Sequence, residues 1–129
     1  MFEGFTKENY QIEDININLV RGGTGFPVVL LHGYPQSHVM WHKVAPKLAE
    51  RFTVIAPDLR GYGDSSKPKA AADNHEVYCK RSLANDIVQL MAVLGQTECH
   101  LVGHDRGARV GHRMALDHPE TIRSFTPVD

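Results

Sequence analysis

Five residues, Gly103-His104-Asp105-Arg106-Gly107, constrain this chain more than any other stretch. They follow a short β-type run, His100-Leu101-Val102, and open a helical period that runs from about Arg106 to near His118. Pro119 closes that period, because the residue before a proline avoids the helical region. A turn that passes so quickly from strand to helix leaves no room for side chains beside its apex. Glycines at 103 and 107 meet that requirement and leave Asp105 exposed between them. Asp105 also stands at a helix N-terminus, where free N–H groups and the helix dipole favour negative charge. The helix after it turns Gly107, Val110, Gly111 and Met114 inward, and the two glycines allow close approach to a sheet.

The rest of the chain repeats the same alternation of β-rich runs and helical periods, which predicts βαβ units and a parallel sheet. From Ile12 to Val20 the pattern alternates, with Ile15, Ile17 and Leu19 on one face of a half-buried strand. A turn over Arg21–Gly25 leads into Val28-Val29-Leu30-Leu31, apolar throughout, as in a strand covered on both faces. Trp41, Val44, Ala45 and Leu48 share one helical face, although Pro46 shortens or interrupts that helix. Trp41 reads as a core residue. Phe52 to Ala56 reads as another buried strand, and a polar, glycine-rich segment follows from Asp58 to Asn74. Leu83, Ile87, Leu90, Met91 and Leu94 form the cleanest amphipathic helix, stopped by Gly95. Phe125 to Val128 reads as the last strand. The whole, residues 1–129, is expected to form one domain.

Composition narrows the function classes. The formal charge of −1 gives no electrostatic case for nucleic acid or an anionic membrane as partner. No apolar run reaches the roughly 20 residues of a membrane span. The first residues, Met-Phe-Glu-Gly-Phe-Thr, lack the basic start and apolar core of a signal peptide, so a cytoplasmic location is expected. Cys79 and Cys99 are too far apart for a CxxC motif and read as two reduced thiols. The histidines are scattered without ligand spacing, so neither a metal nor an organic cofactor is expected. The expected partner is a small molecule, and the oligomeric state has no signature in the sequence.

Three stretches carry a family resemblance: His32-Gly33-Tyr34-Pro35-Gln36, Asp58-Leu59-Arg60-Gly61-Tyr62-Gly63-Asp64-Ser65, and Gly103-His104-Asp105-Arg106-Gly107-Ala108-Arg109-Val110. With them the chain resembles the N-terminal part of an α/β-hydrolase over nearly its whole length. More closely, it is similar to the haloacetate (fluoroacetate) dehalogenases of that superfamily. The first two motifs speak for fold and the third for chemistry. The implied fold is an incomplete α/β-hydrolase: a mostly parallel sheet with flanking helices, the cap and C-terminal strands absent.

Why an aspartate at the elbow matters follows from bond chemistry. A serine attacking an sp³ carbon would form an ether, which water does not readily cleave. A carboxylate forms an ester, which water can cleave at the aspartate's own carbonyl. The carboxylate is also ionised near neutral pH without help from a base. Asp105 therefore points to displacement at alkyl carbon, either dehalogenation or epoxide opening. Relatives of both kinds typically carry tryptophan directly after the nucleophile, whereas this chain has Arg106, with Arg109 three residues on. Two cations in the first turns oppose the helix dipole, and a substrate carboxylate gripped by both guanidiniums would offset that cost. The resemblance thus implies that Arg106 and Arg109 hold the carboxylate of a 2-haloacid while Asp105 attacks its α-carbon. It also implies an oxyanion hole made by the backbone N–H groups of Tyr34 and Arg106. His32 and His104 are expected to be hydrogen-bonded scaffold, Arg113 a structural or surface partner, and Asp58 to Ser65 a structural loop.

In the family order, nucleophile, acid and histidine follow one another, with a helical cap between the last two. The acid's position falls on Asp129. The chain is accordingly expected to cover less than half of a family enzyme, without the cap, the final strands or the catalytic histidine. The 129 residues alone are then expected to be poorly stable or aggregation-prone, with chemistry halting at the covalent ester. Two alternatives stay open: an epoxide hydrolase fragment, and an inert remnant that merely binds carboxylates.

Overall fold

A computed structural model describes residues 2–69 and 78–128. Asp129, and residues 70–77 at the end of the polar segment, lie outside the described residues. Six strands form one sheet in the order β1-β2-β4-β3-β5-β6: β1 Thr6–Ile12, β2 Ile15–Gly22, β3 Pro27–Leu31, β4 Thr53–Pro57, β5 Cys99–His104 and β6 Ile122–Val128. β1, β2 and β4 pair antiparallel, whereas the β4–β3, β3–β5 and β5–β6 ladders are parallel. Three helices accompany them: α1 Ala45–Leu48, α2 Lys80–Val93 and α3 Arg106–Asp117.

The all-apolar sequence of β3 is explained by burial on both faces. Val29 and Leu31 join the core beneath α2 and α3, with Ile55, Leu83, Ile87, Leu90, Leu101, Val110 and Met114. Val28 and Leu30 point the other way, into a smaller core with Trp41, Ala45, Val54 and Ala56. Each such fully buried aliphatic side chain contributes about 1.5–3 kcal/mol relative to exposure. Two layers of helix about one sheet are the result.

The sequence expectation differs from the structure at three places. The strand expected over Ile12–Val20 is the second arm of a hairpin, whose first arm Thr6–Ile12 carries too many polar residues to announce itself. Glu13, at φ 55°, makes the turn that brings Ile12 opposite Ile15. The helix expected through Trp41 and Leu48 is divided into a 3-10 turn at His38–Trp41 and the short α1. Pro46 stands in the first turn of α1, where its missing N–H costs nothing. Trp41 is nonetheless buried, at 5% exposure. The last strand begins at Ile122 rather than Phe125, because a 3-10 turn at Pro119–Thr121 redirects the chain early.

α2 and α3 match the periodicity that predicted them. α2 buries Leu83, Ile87, Leu90 and Met91, and Gly95 follows it at φ 78°. α3 buries Gly107, Val110, Gly111 and Met114. No helix among the described residues is long and apolar enough to cross a membrane.

Candidate active site

The end of β5 and the start of α3 meet at Asp105, which lies at φ 53° and ψ −115°. Few non-glycine residues occupy such backbone, and it turns the side chain out of the sheet's end. The neighbouring glycines allow the crowding. A Cβ on Gly107 would lie 2.3 Å from the Leu31 carbonyl oxygen, so α3 can start against the end of β3 only if position 107 is bare. A Cβ on Gly33 would lie 2.7 Å from that of Asp105, so the loop after β3 can pass over the elbow only with glycine there.

That loop supplies a donor. The backbone N–H of Tyr34 donates to Asp105 Oδ2 at 3.0 Å. This bond first, and the Arg106 N–H second, hold the Asp105 carboxyl below the usual carboxylate range; the positive charge of Arg109 acts in the same direction. Asp105 is therefore ionised at neutral pH with no base beside it. Of the two N–H groups expected from the sequence as an oxyanion hole, that of Tyr34 donates to this carboxylate and that of Arg106 contributes to lowering its pKa.

The loop is fastened at several points. Gln36 Oε1 accepts the Gly33 N–H at 3.1 Å and lies 3.2 Å from His104 Nδ1, so it ties the loop to the residue before Asp105. Tyr34 and Pro35 are joined by a cis peptide bond. His32 is fully buried, its Nε2 accepting from the Leu59 N–H at 3.0 Å while Nδ1 lies 2.9 Å from the Gly33 carbonyl oxygen. An acceptor role for Nε2 places the proton on Nδ1, which donates to Gly33. Burial lowers the His32 pKa, so the ring is neutral scaffold. His32 thus holds backbone on both sides, whereas His104 contacts the Gln36 side chain.

Asp58, also fully buried, is the second anchor. It accepts the backbone N–H of His38 at 2.7 Å, His38 Nδ1 at 2.8 Å, Asn18 Nδ2 at 2.9 Å and the Asp64 N–H at 2.9 Å. Burial alone would raise its pKa, but these donors outweigh burial and hold it well below the ordinary range. The loop from Asp58 to Ser65 is consequently rigid, and the sequence expectation of a structural loop describes most of it. Tyr62 is an exception.

Arg106 donates through Nη1 to the Tyr62 hydroxyl at 2.9 Å, and its guanidinium lies 5.0 Å from the centre of the Tyr34 ring. It faces a hollow lined by Tyr34, Gly61, Tyr62, Tyr78 and Leu83. Arg109 instead lines the cleft that holds Asp105, together with Tyr34, His104, Ala108, Pro127 and Val128. The two arginines therefore stand in adjoining hollows that share Tyr34 as a wall. Neither makes an ion pair with a carboxylate among the described residues. Arg113 does, at 3.4 Å from Asp117. Sequence reading missed Tyr62 and Gln36 as parts of the site. Both sit inside recognisable motifs, but their contacts span 44 and 68 positions and leave no trace in local spacing.

Comparison with known proteins agrees with this geometry. The family model for the alpha/beta hydrolase fold matches residues 27–129. A fluoroacetate dehalogenase from Burkholderia sp is 53% identical over all 129 residues, which span 42% of that protein. A soluble epoxide hydrolase from Corynebacterium sp. (strain C12) is 41% identical over 96% of this chain and 41% of its own length. Among solved structures, a provisionally assigned alpha/beta hydrolase from Nostoc sp PCC 7120 superposes with a TM-score of 0.96 at 52% identity, covering 100% of this chain and 44% of its own. The chain thus spans about two fifths of the length of these three relatives.

Proposed function

Because the chain belongs to the alpha/beta hydrolase fold family, we propose that Asp105 is the nucleophile of a hydrolytic dehalogenation acting on a small 2-haloacid. One carboxylate oxygen attacks the α-carbon; the carbon–halogen bond breaks and halide leaves with its electron pair, giving an aspartyl ester. Water then adds to the ester carbonyl. The oxygen that now accepts the Tyr34 N–H carries the developing negative charge, and the Arg106 N–H, which also favours the anionic Asp105 carboxyl, is the second donor of this reading. Such preorganised donors typically account for about 2.7–4 kcal/mol each in acyl-transfer sites. Collapse of the tetrahedral intermediate restores Asp105 and releases a 2-hydroxy acid, such as glycolate from a haloacetate. The activating histidine and the acid that orients it belong to this reading by family order, with Asp129 in the acid's place. No cofactor enters the scheme.

One observation supports the acid as substrate. Neither Arg109, which lines the cleft of Asp105, nor Arg106, in the adjoining hollow, has a carboxylate partner among the described residues, and a substrate carboxylate supplies the missing charge. Epoxide opening shares the aspartyl-ester step, and the Corynebacterium relative keeps it in view, but an epoxide gives the guanidiniums nothing to bind. Incubation with chloroacetate or fluoroacetate, followed by mass spectrometry of the peptide holding Asp105, tests the proposal. A carboxymethyl adduct on Asp105 is expected, absent in Asp105→Asn. An epoxide adduct at that residue without a haloacetate adduct would transfer the assignment to epoxide opening.

A further inference from the structure

The Arg106 guanidinium is the best-held cation near the nucleophile, and the residue that holds it is not a carboxylate. We propose that Tyr62 is a specificity-determining positioning residue, whose hydroxyl fixes Arg106 so that the site prefers anionic over neutral substrates of the same shape. The inference rests on the reading of Asp105 as the nucleophile for a haloacid.

Three contacts carry it. Tyr62 Oη accepts from Arg106 Nη1 at 2.9 Å, a neutral acceptor that orients the guanidinium without cancelling its charge. The Tyr34 ring lies 5.0 Å from the same guanidinium and restricts it from a second side. The Tyr62 ring is itself fixed edge-on, its centre 5.2 Å from that of His32 and 6.2 Å from that of Tyr34. His32 is pinned in turn by the Leu59 N–H and the Gly33 carbonyl. Tyr62 thus joins the loop after β4 to the loop that presents the Tyr34 N–H, and it does so at the arginine.

An arginine free to move loses rotamer entropy on gripping a carboxylate, and one already oriented loses less. A carboxylate partner in place of Tyr62 would orient Arg106 equally well but neutralise it. A phenol is the compromise that leaves the full charge for the ligand. The Arg106 guanidinium faces the hollow beside the cleft of Asp105, while Arg109 lines the cleft itself.

The test compares chloroacetate with chloroacetamide, nearly the same shape and lacking the charge. The rate of adduct formation on Asp105 is read by peptide mass spectrometry in the chain and in Tyr62→Phe. The ratio of the two rates is expected to fall about tenfold in Tyr62→Phe, the scale of one hydrogen bond to a charged group. In an Arg106→Gln background the same substitution should leave the ratio unchanged. Equal loss with both reagents, or a ratio that survives Tyr62→Phe, overturns the proposal. Acetate affinity by titration calorimetry gives a readout without chemistry, and it too should weaken about tenfold in Tyr62→Phe. Failure of the chain to bind acetate, or binding that Tyr62→Phe leaves intact, also refutes it. Acetate binding that depends on Tyr62, with no adduct on Asp105, would instead reject the nucleophile and keep the positioning role.

Discussion

At Asp105 the backbone geometry sets the state of the carboxyl. Its carboxyl is held below the usual range first by the Tyr34 N–H, then by the Arg106 N–H, with Arg109 assisting. A pKa lowered in the folded chain means the anion is fully formed above the ordinary carboxylate range and is lost only as pH falls below it. The rate of Asp105 alkylation by chloroacetate should therefore be flat from about pH 5 to about pH 8. A rate that climbs through neutrality would mean that a base is needed and the anion is not preformed. At this scale the sequence made the elbow itself legible, because the glycine spacing around Asp105 encodes what a tight turn exposes. It was silent about Tyr62 and Gln36, whose work depends on partners brought close only by folding.

At the level of elements, the strand-to-helix passage is the part most exacting in its packing. α3 begins against the end of β3, and Gly107 is the point of contact, with the Leu31 carbonyl where a Cβ would be. Gly107→Ala must push backbone from backbone and cannot be absorbed by a side-chain rotation. It should destabilise the chain by roughly 3 kcal/mol, read as a lower denaturant midpoint at unchanged slope. A change under 1 kcal/mol would show that α3 can shift freely on the sheet. The buried pair of Arg60 and Asp86, with bonds of 2.8 and 2.7 Å, fixes the loop after β4 to α2 in the same way. Burial raises the Asp86 pKa more than Arg60 lowers it, so the pair serves position rather than net stability. α2, α3, β3 and β4 were legible because their apolar periods are strong. β1 was not, since a two-residue turn at Glu13 pairs a polar edge strand with β2, and edge strands carry little hydrophobic pattern. α1 is shortened as Pro46 led one to expect, with Pro46 standing in its first turn.

Over the whole molecule, the two edges of the sheet differ. β1 carries Lys7, Glu8, Asn9 and Gln11 along the outer rim, and charged or polar residues blunt an edge. β6 presents Phe125 and Val128 beside Pro127, and Val128 is 40% exposed. Among the described residues nothing pairs with its outer side. The 129-residue chain produced by itself should accordingly self-associate as its concentration rises, seen as a growing mass by light scattering. A single monomeric species with a cooperative melting transition would contradict this. The architecture of sheet and helices was legible at this scale from the alternation of periods alone. The pairing order was not, because strands distant in the chain become neighbours only through crossovers that no local pattern records.

The backbone angle at Asp105 reaches further than the reaction. Glycine would occupy φ 53° without the penalty that a Cβ brings, so the residue that performs the proposed chemistry is not the one the turn would accept most easily. Durability and reactivity pull in opposite directions at this single position. Selection for heat resistance alone would favour glycine over the carboxylate at this position.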